Sequence, residues 1–112
     1  MPRLGIAIVR GRSMLPTLQD GDRVIVKYGR KARPGSLVLV KLPDRPLSIK
    51  RLVRHDADGW WVERDNPREG VDSWHVGPVP EDDLVAVVVT RLRLVNAIRR
   101  AWRRRTPSGS AT

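Results

Sequence analysis

Three runs decide the fold: Arg23-Val24-Ile25-Val26-Lys27, Leu37-Val38-Leu39-Val40-Lys41 and Leu47-Ser48-Ile49-Lys50-Arg51-Leu52-Val53. Each is short, rich in β-branched residues and bounded by turn formers: Gly21-Asp22, Tyr28-Gly29, Pro34-Gly35 and Pro43-Asp44. Working outward, Ile6–Arg10, Trp60–Glu63 and Asp83–Arg93 have the same character, with Asp58-Gly59 and Asn66-Pro67 as further turns. Short strands with turn signals every 8–12 residues predict a mainly β domain, a small barrel or sandwich. Ser13-Met14-Leu15-Pro16-Thr17-Leu18 breaks the pattern. It reads as one helical turn capped by Ser13, with Pro16 in the first turn, where its missing N–H costs little. A second helix is expected at Leu92–Arg105, where Leu94 or Val95, Ile98, Ala101 and Trp102 recur at helical spacing between arginines.

At 112 residues the chain has the length of one domain, with residues 106–112 expected to be a disordered tail. Its longest apolar run, Leu84–Val89, is far short of the ~18 residues of a membrane span. The apolar stretch in Met1–Val9 is too short for a secretory signal, so a cytoplasmic or peripheral-membrane location is expected. The net charge of +10 is uneven: residues 91–112 hold seven Arg and no acid, leaving +3 on residues 1–90. The basic character therefore belongs mainly to the C-terminal fifth. The body shows no helix-turn-helix and no aromatic stacking motif, which makes nucleic acid an unlikely partner.

The absence of Cys excludes disulfides, thiolate zinc sites and Cys nucleophiles. Two histidines are too few for the common zinc sites, and no metal or other cofactor is expected. His55 and His75 both lie in polar stretches and read as solvated loop residues. With His set aside, the base for a Ser nucleophile would be a lysine, which accepts a proton near neutrality only when desolvated or placed beside another cation. Lys50 is the best-placed candidate. By strand alternation it shares a face with Ser48 and Leu52, while Arg51 shares the other with Ile49 and Val53. Pattern alone favours a solvated lysine on an edge strand, and for Ser13 a helix cap is the plain structural alternative.

Taken in order, four segments bear a resemblance. Gly11-Arg12-Ser13-Met14-Leu15-Pro16-Thr17-Leu18 resembles the nucleophile box of the signal peptidase I family, and Gly21-Asp22-Arg23-Val24-Ile25-Val26 resembles its second box. Ile49-Lys50-Arg51-Leu52-Val53 resembles the box of the catalytic lysine. Asp65-Asn66, Asp72-Ser73 and Gly77-Pro78-Val79-Pro80 resemble the last box. The compact form without a membrane anchor is similar to the actinobacterial maturation proteases of nickel superoxide dismutase. The resemblance implies a serine endopeptidase with Ser13 as nucleophile and Lys50 as general base, on a signal-peptidase-like β fold spanning residues 1–90. It implies an oxyanion site at the Ser13 N–H, backbone groups at Gly11, a groove shaped by Met14, and structural roles for Asp65, Asn66, Asp72 and Ser73. The substrate implied is an extended protein segment with small residues at the first and third positions before the cut, held by strand addition.

The last box departs from the family in three places. Arg64 stands where Gly is expected, Gly70 where a Ser orients the lysine, and Trp74 where an Arg pairs with the Asp at position 72. On this reading Asp72 has lost its partner, Gly70→Ser should raise activity, and Ser48 is the candidate replacement hydroxyl. The same departures are the evidence for a competing class, an inactive peptidase-fold scaffold. Self-cleavage in the manner of SOS repressors, which share the Ser–Lys dyad, is not expected, since they carry a DNA-binding domain and a cleavage site before the serine and only twelve residues precede Ser13.

The segment 91–105 admits two readings. As a basic amphipathic helix with Leu94, Val95, Ile98 and Trp102 on one side, it would bind an anionic membrane surface reversibly. Alternatively Leu92, Leu94 and Val95 finish the last strand and the arginines are merely solvated. Liposome co-sedimentation decides between them. The first reading requires binding to anionic but not neutral vesicles, lost in high salt and on deleting the residues after Asn96; the second requires none at low salt.

Overall fold

The computed structural model describes residues 3–92. The tail helix expected from Leu92 onward, with its membrane contact, therefore lies outside the described residues. The described residues form six strands: β1 (Leu4–Ile8), β2 (Arg23–Tyr28), β3 (Leu37–Val40), β4 (Ser48–Asp56), β5 (Gly59–Glu63) and β6 (Leu84–Arg91). Each coincides within a few residues with a run read from the sequence. Among the described residues the one α-helix, α1, is a single turn at Ser73–Val76, and a 3-10 turn at Glu81–Asp83 leads into β6.

All six strands belong to one antiparallel sheet in the order β1-β2-β6-β3-β4-β5. The domain is mainly β, as expected, but the sheet is neither a closed barrel nor half of a sandwich: β1 and β5 remain its two ends. The reason lies in the central strands. Leu37-Val38-Leu39-Val40 and Leu84–Val89 are apolar at both parities, the pattern of strands covered on both faces. Cover comes from connecting segments, not from a second sheet. On one side Val24, Val26, Leu39, Ile49 and Ala86 pack with Val9, Met14 and Leu18 from the β1–β2 connection. In the other cluster Val38, Val40, Leu52, Val62 and Leu84 pack with Leu42, Trp60 and Val79.

The β1–β2 connection does not form the expected helix. Residues 11–18 are turns and bends, with a single helical-type bond from Leu18 N–H to Met14 O at 2.9 Å. Pro16 supplies no N–H and disfavours α geometry at Leu15, so the turn does not propagate. Met14 and Leu18 are buried and anchor this connection to the first core cluster. Ser13 therefore sits between an exposed Arg12 and a Met14 plugged into the core.

At the far end of the sheet, Trp60 stacks on His55 with ring centroids 3.5 Å apart. Its indole N–H donates to Glu81 O at 3.2 Å, and its backbone bridges to Val79. His55 is exposed, as expected, but it is a strand residue paired with Glu81 and not a loop residue. Trp60 ties β5 to the chain leading into β6. Trp60→Ala should destabilise the domain by about 3–5 kcal/mol, read as a fall in the urea midpoint.

Candidate active site

Lys50 projects from β4 in register with Val38 of β3. It is 3% exposed, one of three buried polar or charged residues among those described, with Asp72 and Ser73. Its Nζ donates to Ser13 Oγ at 3.0 Å and approaches Ile49 O at 3.4 Å. Two residues 37 positions apart thus meet. Burial is the main cause that lowers the Lys50 pKa from 10.5 to about 8; the charges of Arg45 and Arg64 add to the fall, and Asp72 opposes it. Its neighbour Arg51 points the other way, half-exposed and ion-paired. Alternation assigned the two basic residues to opposite faces, and tertiary packing buried only one.

The Ser13 loop is held by backbone and side-chain bonds from residues 65–70. Asn66 N–H donates to Ser13 O at 2.9 Å, and Asn66 Nδ2 donates to Arg12 O at 2.9 Å. Asp65 receives Arg51 through Nε at 2.9 Å and Nη2 at 2.7 Å, and Thr17 Oγ1 at 2.6 Å. The Arg51 hydrogen bonds hold the Asp65 pKa below the usual carboxylate value, and the same pair raises that of Arg51. One carboxylate thereby joins the Ser13 loop to the strand of Lys50. No sequence signal singled out Arg51 or Thr17 for this.

Asp72 is capped on every side. Its carboxylate accepts the backbone N–H groups of Arg64 and Trp74, each at 3.0 Å, and lies 3.2 Å from His75 Nδ1. His75 closes a capping box over α1, so it is an exposed helix residue and not the loop residue expected. Ser73 Oγ accepts Val62 N–H at 2.9 Å. Asp72 has not lost its cationic partner: the Arg64 guanidinium lies 3.6 Å from Oδ1. The arginine absent at position 74 is supplied from position 64, the very place where a glycine was expected. Arg64 also binds Asn66 O, Pro67 O and Gly70 O, folding the loop that supports Ser13. Each departure looked like a loss in the linear sequence; in space the two compensate.

Gly70 overturns the expectation attached to it. Its φ is +109°, and a Cβ there would lie 2.4 Å from Ser13 Cβ and 3.3 Å from Ser13 Cα. The position requires glycine because the loop backbone presses directly on Ser13. Ser48 does not take over as orienting hydroxyl, since its Oγ points to Pro46 O at 3.3 Å. The Gly11 N–H is occupied by Asp20 Oδ1 at 2.7 Å, so it is not available to an oxyanion. The Ser13 N–H has no acceptor among the described residues. Ser13 and Lys50 open onto a groove of about 240 Å³, with Ile8, Met14, Leu39, Leu42 and Ile49 as its apolar lining.

Residues 2–89 match the Peptidase S24-like family model, a span that takes in all four boxes. The chain belongs to the Peptidase S24-like family. Within the S24-like fold Gly70 has a definite consequence. Gly70→Ser should displace Ser13 and lower both thermal stability and any Ser13-dependent hydrolysis by tenfold or more, about 1.4 kcal/mol per factor of ten. A gain in turnover would restore the orienting-hydroxyl reading.

Proposed function

We propose that this chain is a serine endopeptidase in which Ser13 is the nucleophile and Lys50 the general base. The observation that carries the proposal is the contact of Lys50 Nζ with Ser13 Oγ at 3.0 Å in a buried setting that brings the amine to a pKa of about 8. With the amine neutral, Nζ takes the Ser13 proton as Oγ attacks the scissile carbonyl. The resulting ammonium protonates the leaving amine, the acyl-enzyme forms, and the lysine then activates water for deacylation. The free Ser13 N–H is the natural donor to the developing oxyanion.

The substrate proposed is an extended peptide with small residues before the cut. Two backbone edges support strand addition. β5 pairs with β4 only from Arg51 onward, leaving Ser48–Lys50 uncovered on that side, and β1 pairs only with β2. The similarity to maturation proteases of nickel superoxide dismutase extends the proposal to removal of an N-terminal pro-segment from a precursor. Against the scaffold reading, the departures at Arg64 and Trp74 compensate one another, and Gly70 accommodates the nucleophile.

The pH dependence has a definite sign. The base works deprotonated, so hydrolysis should rise with pH and level off above about 8. Stability runs the same way. The folded pKa lies below the unfolded 10.5, so the unfolded chain binds more protons between about 8 and 10.5, and stability increases across that window. Lys50→Met should abolish hydrolysis while stabilising the fold at neutral pH by about 2 kcal/mol, because a buried ammonium is removed. Ser13→Ala should abolish hydrolysis with the fold intact. Peptide cleavage followed by mass spectrometry, with thermal melts, checks both; wild-type turnover in Lys50→Met excludes the lysine as base.

A further inference from the structure

The groove carries more positive charge than its proposed chemistry uses. Arg10 and Arg12 line it from the β1–β2 connection, and Arg45 lines it from the β3–β4 connection. All three are exposed, and among the described residues none has a carboxylate within ion-pairing distance. Asp20, the acid nearest in sequence to Arg10 and Arg12 within their loop, spends an oxygen on the Gly11 N–H. Glu69 is the single acid along the groove. The cations therefore come from two connections and face the space that a strand-like peptide would occupy. The field of Arg45 reaches the inside of the site, since it is among the charges that depress the Lys50 pKa.

We infer that this groove selects peptides bearing acidic side chains next to the small residues at the scissile bond, with Arg10, Arg12 and Arg45 as the specificity determinants. The inference rests on the peptidase reading for its location. Extended peptides place alternate side chains on opposite sides, so carboxylates flanking a small residue in the groove meet cations on the rim while the small residue enters the apolar floor. Exposed guanidiniums bind carboxylates in bidentate fashion but are screened by salt. The gain from two such contacts is therefore about tenfold at low ionic strength and fades as salt is added.

The test uses three fluorescent decapeptides of alanine core, identical except for Glu, Gln or Lys at the flanking positions. Binding is read by anisotropy on Ser13→Ala, and hydrolysis is read in parallel on the wild type. The Glu peptide is expected to bind about tenfold more tightly than the Gln peptide at low ionic strength, with the Lys peptide weakest. That advantage should fall towards parity in high salt and in Arg10→Gln/Arg45→Gln. Equal binding of Glu and Gln peptides at low salt, a preference for Lys, or no binding of any peptide overturns the inference. Tight, salt-sensitive binding of the Glu peptide without any cleavage upholds the inference and removes the peptidase reading. Cleavage of all three with equal efficiency does the reverse.

Discussion

Withdrawing the Lys50 amine from water is the constraint on which the rest of the site depends. An ammonium in bulk solvent would hold its proton far above neutrality and could not fill the role of base proposed for Lys50. Burial to 3% exposure, beside cations that disfavour a further positive charge, brings the group to about 8. Such burial opposes folding, so the surrounding structure must hold the amine in place. It does so through strand pairing on both sides of β4 and through the two core clusters that cover the sheet.

The partner of that amine is positioned from the opposite direction. Ser13 follows an exposed arginine and precedes a methionine sunk in the core, so Met14 acts as an anchor that sets where the hydroxyl points. Asn66 fixes the loop through its backbone N–H and its side-chain amide, and Asp65 ties Thr17 to Arg51. Gly70 presses on Ser13 so closely that any side chain would collide. Ser13 is held by contacts to residues more than fifty positions away, the preorganisation that its proposed role as nucleophile would need.

The exchange between positions 64 and 74 shows how a charge requirement is met in space. Asp72 is buried, and a buried carboxylate is costly without cationic and N–H partners. Arg64 reaches it from the end of β5, and the vacated position carries Trp74, which packs edge-on against Trp61 and donates its indole N–H to Glu63. Arg64 then gains a second task, binding three carbonyls of the loop that supports Ser13.

Short β-branched runs and turn dipeptides in the sequence were enough to locate the six strands of the described residues, because both signals are local consequences of backbone sterics and burial. The serine and lysine were also legible, through motif order and the lack of any cysteine or suitable histidine. Local signals could not show that β6 inserts between β2 and β3, since pairing order is chosen by which strands bury both faces together. They also misread Gly70 as a missing hydroxyl, Arg64 as a departure and His55 as a loop residue, because each residue's role depends on a neighbour distant in the chain. Which of the adjacent Lys50 and Arg51 lost its water was likewise decided by the tertiary structure. Only the assembled sheet and its covering loops determine which amine is desolvated and which guanidinium finds a carboxylate.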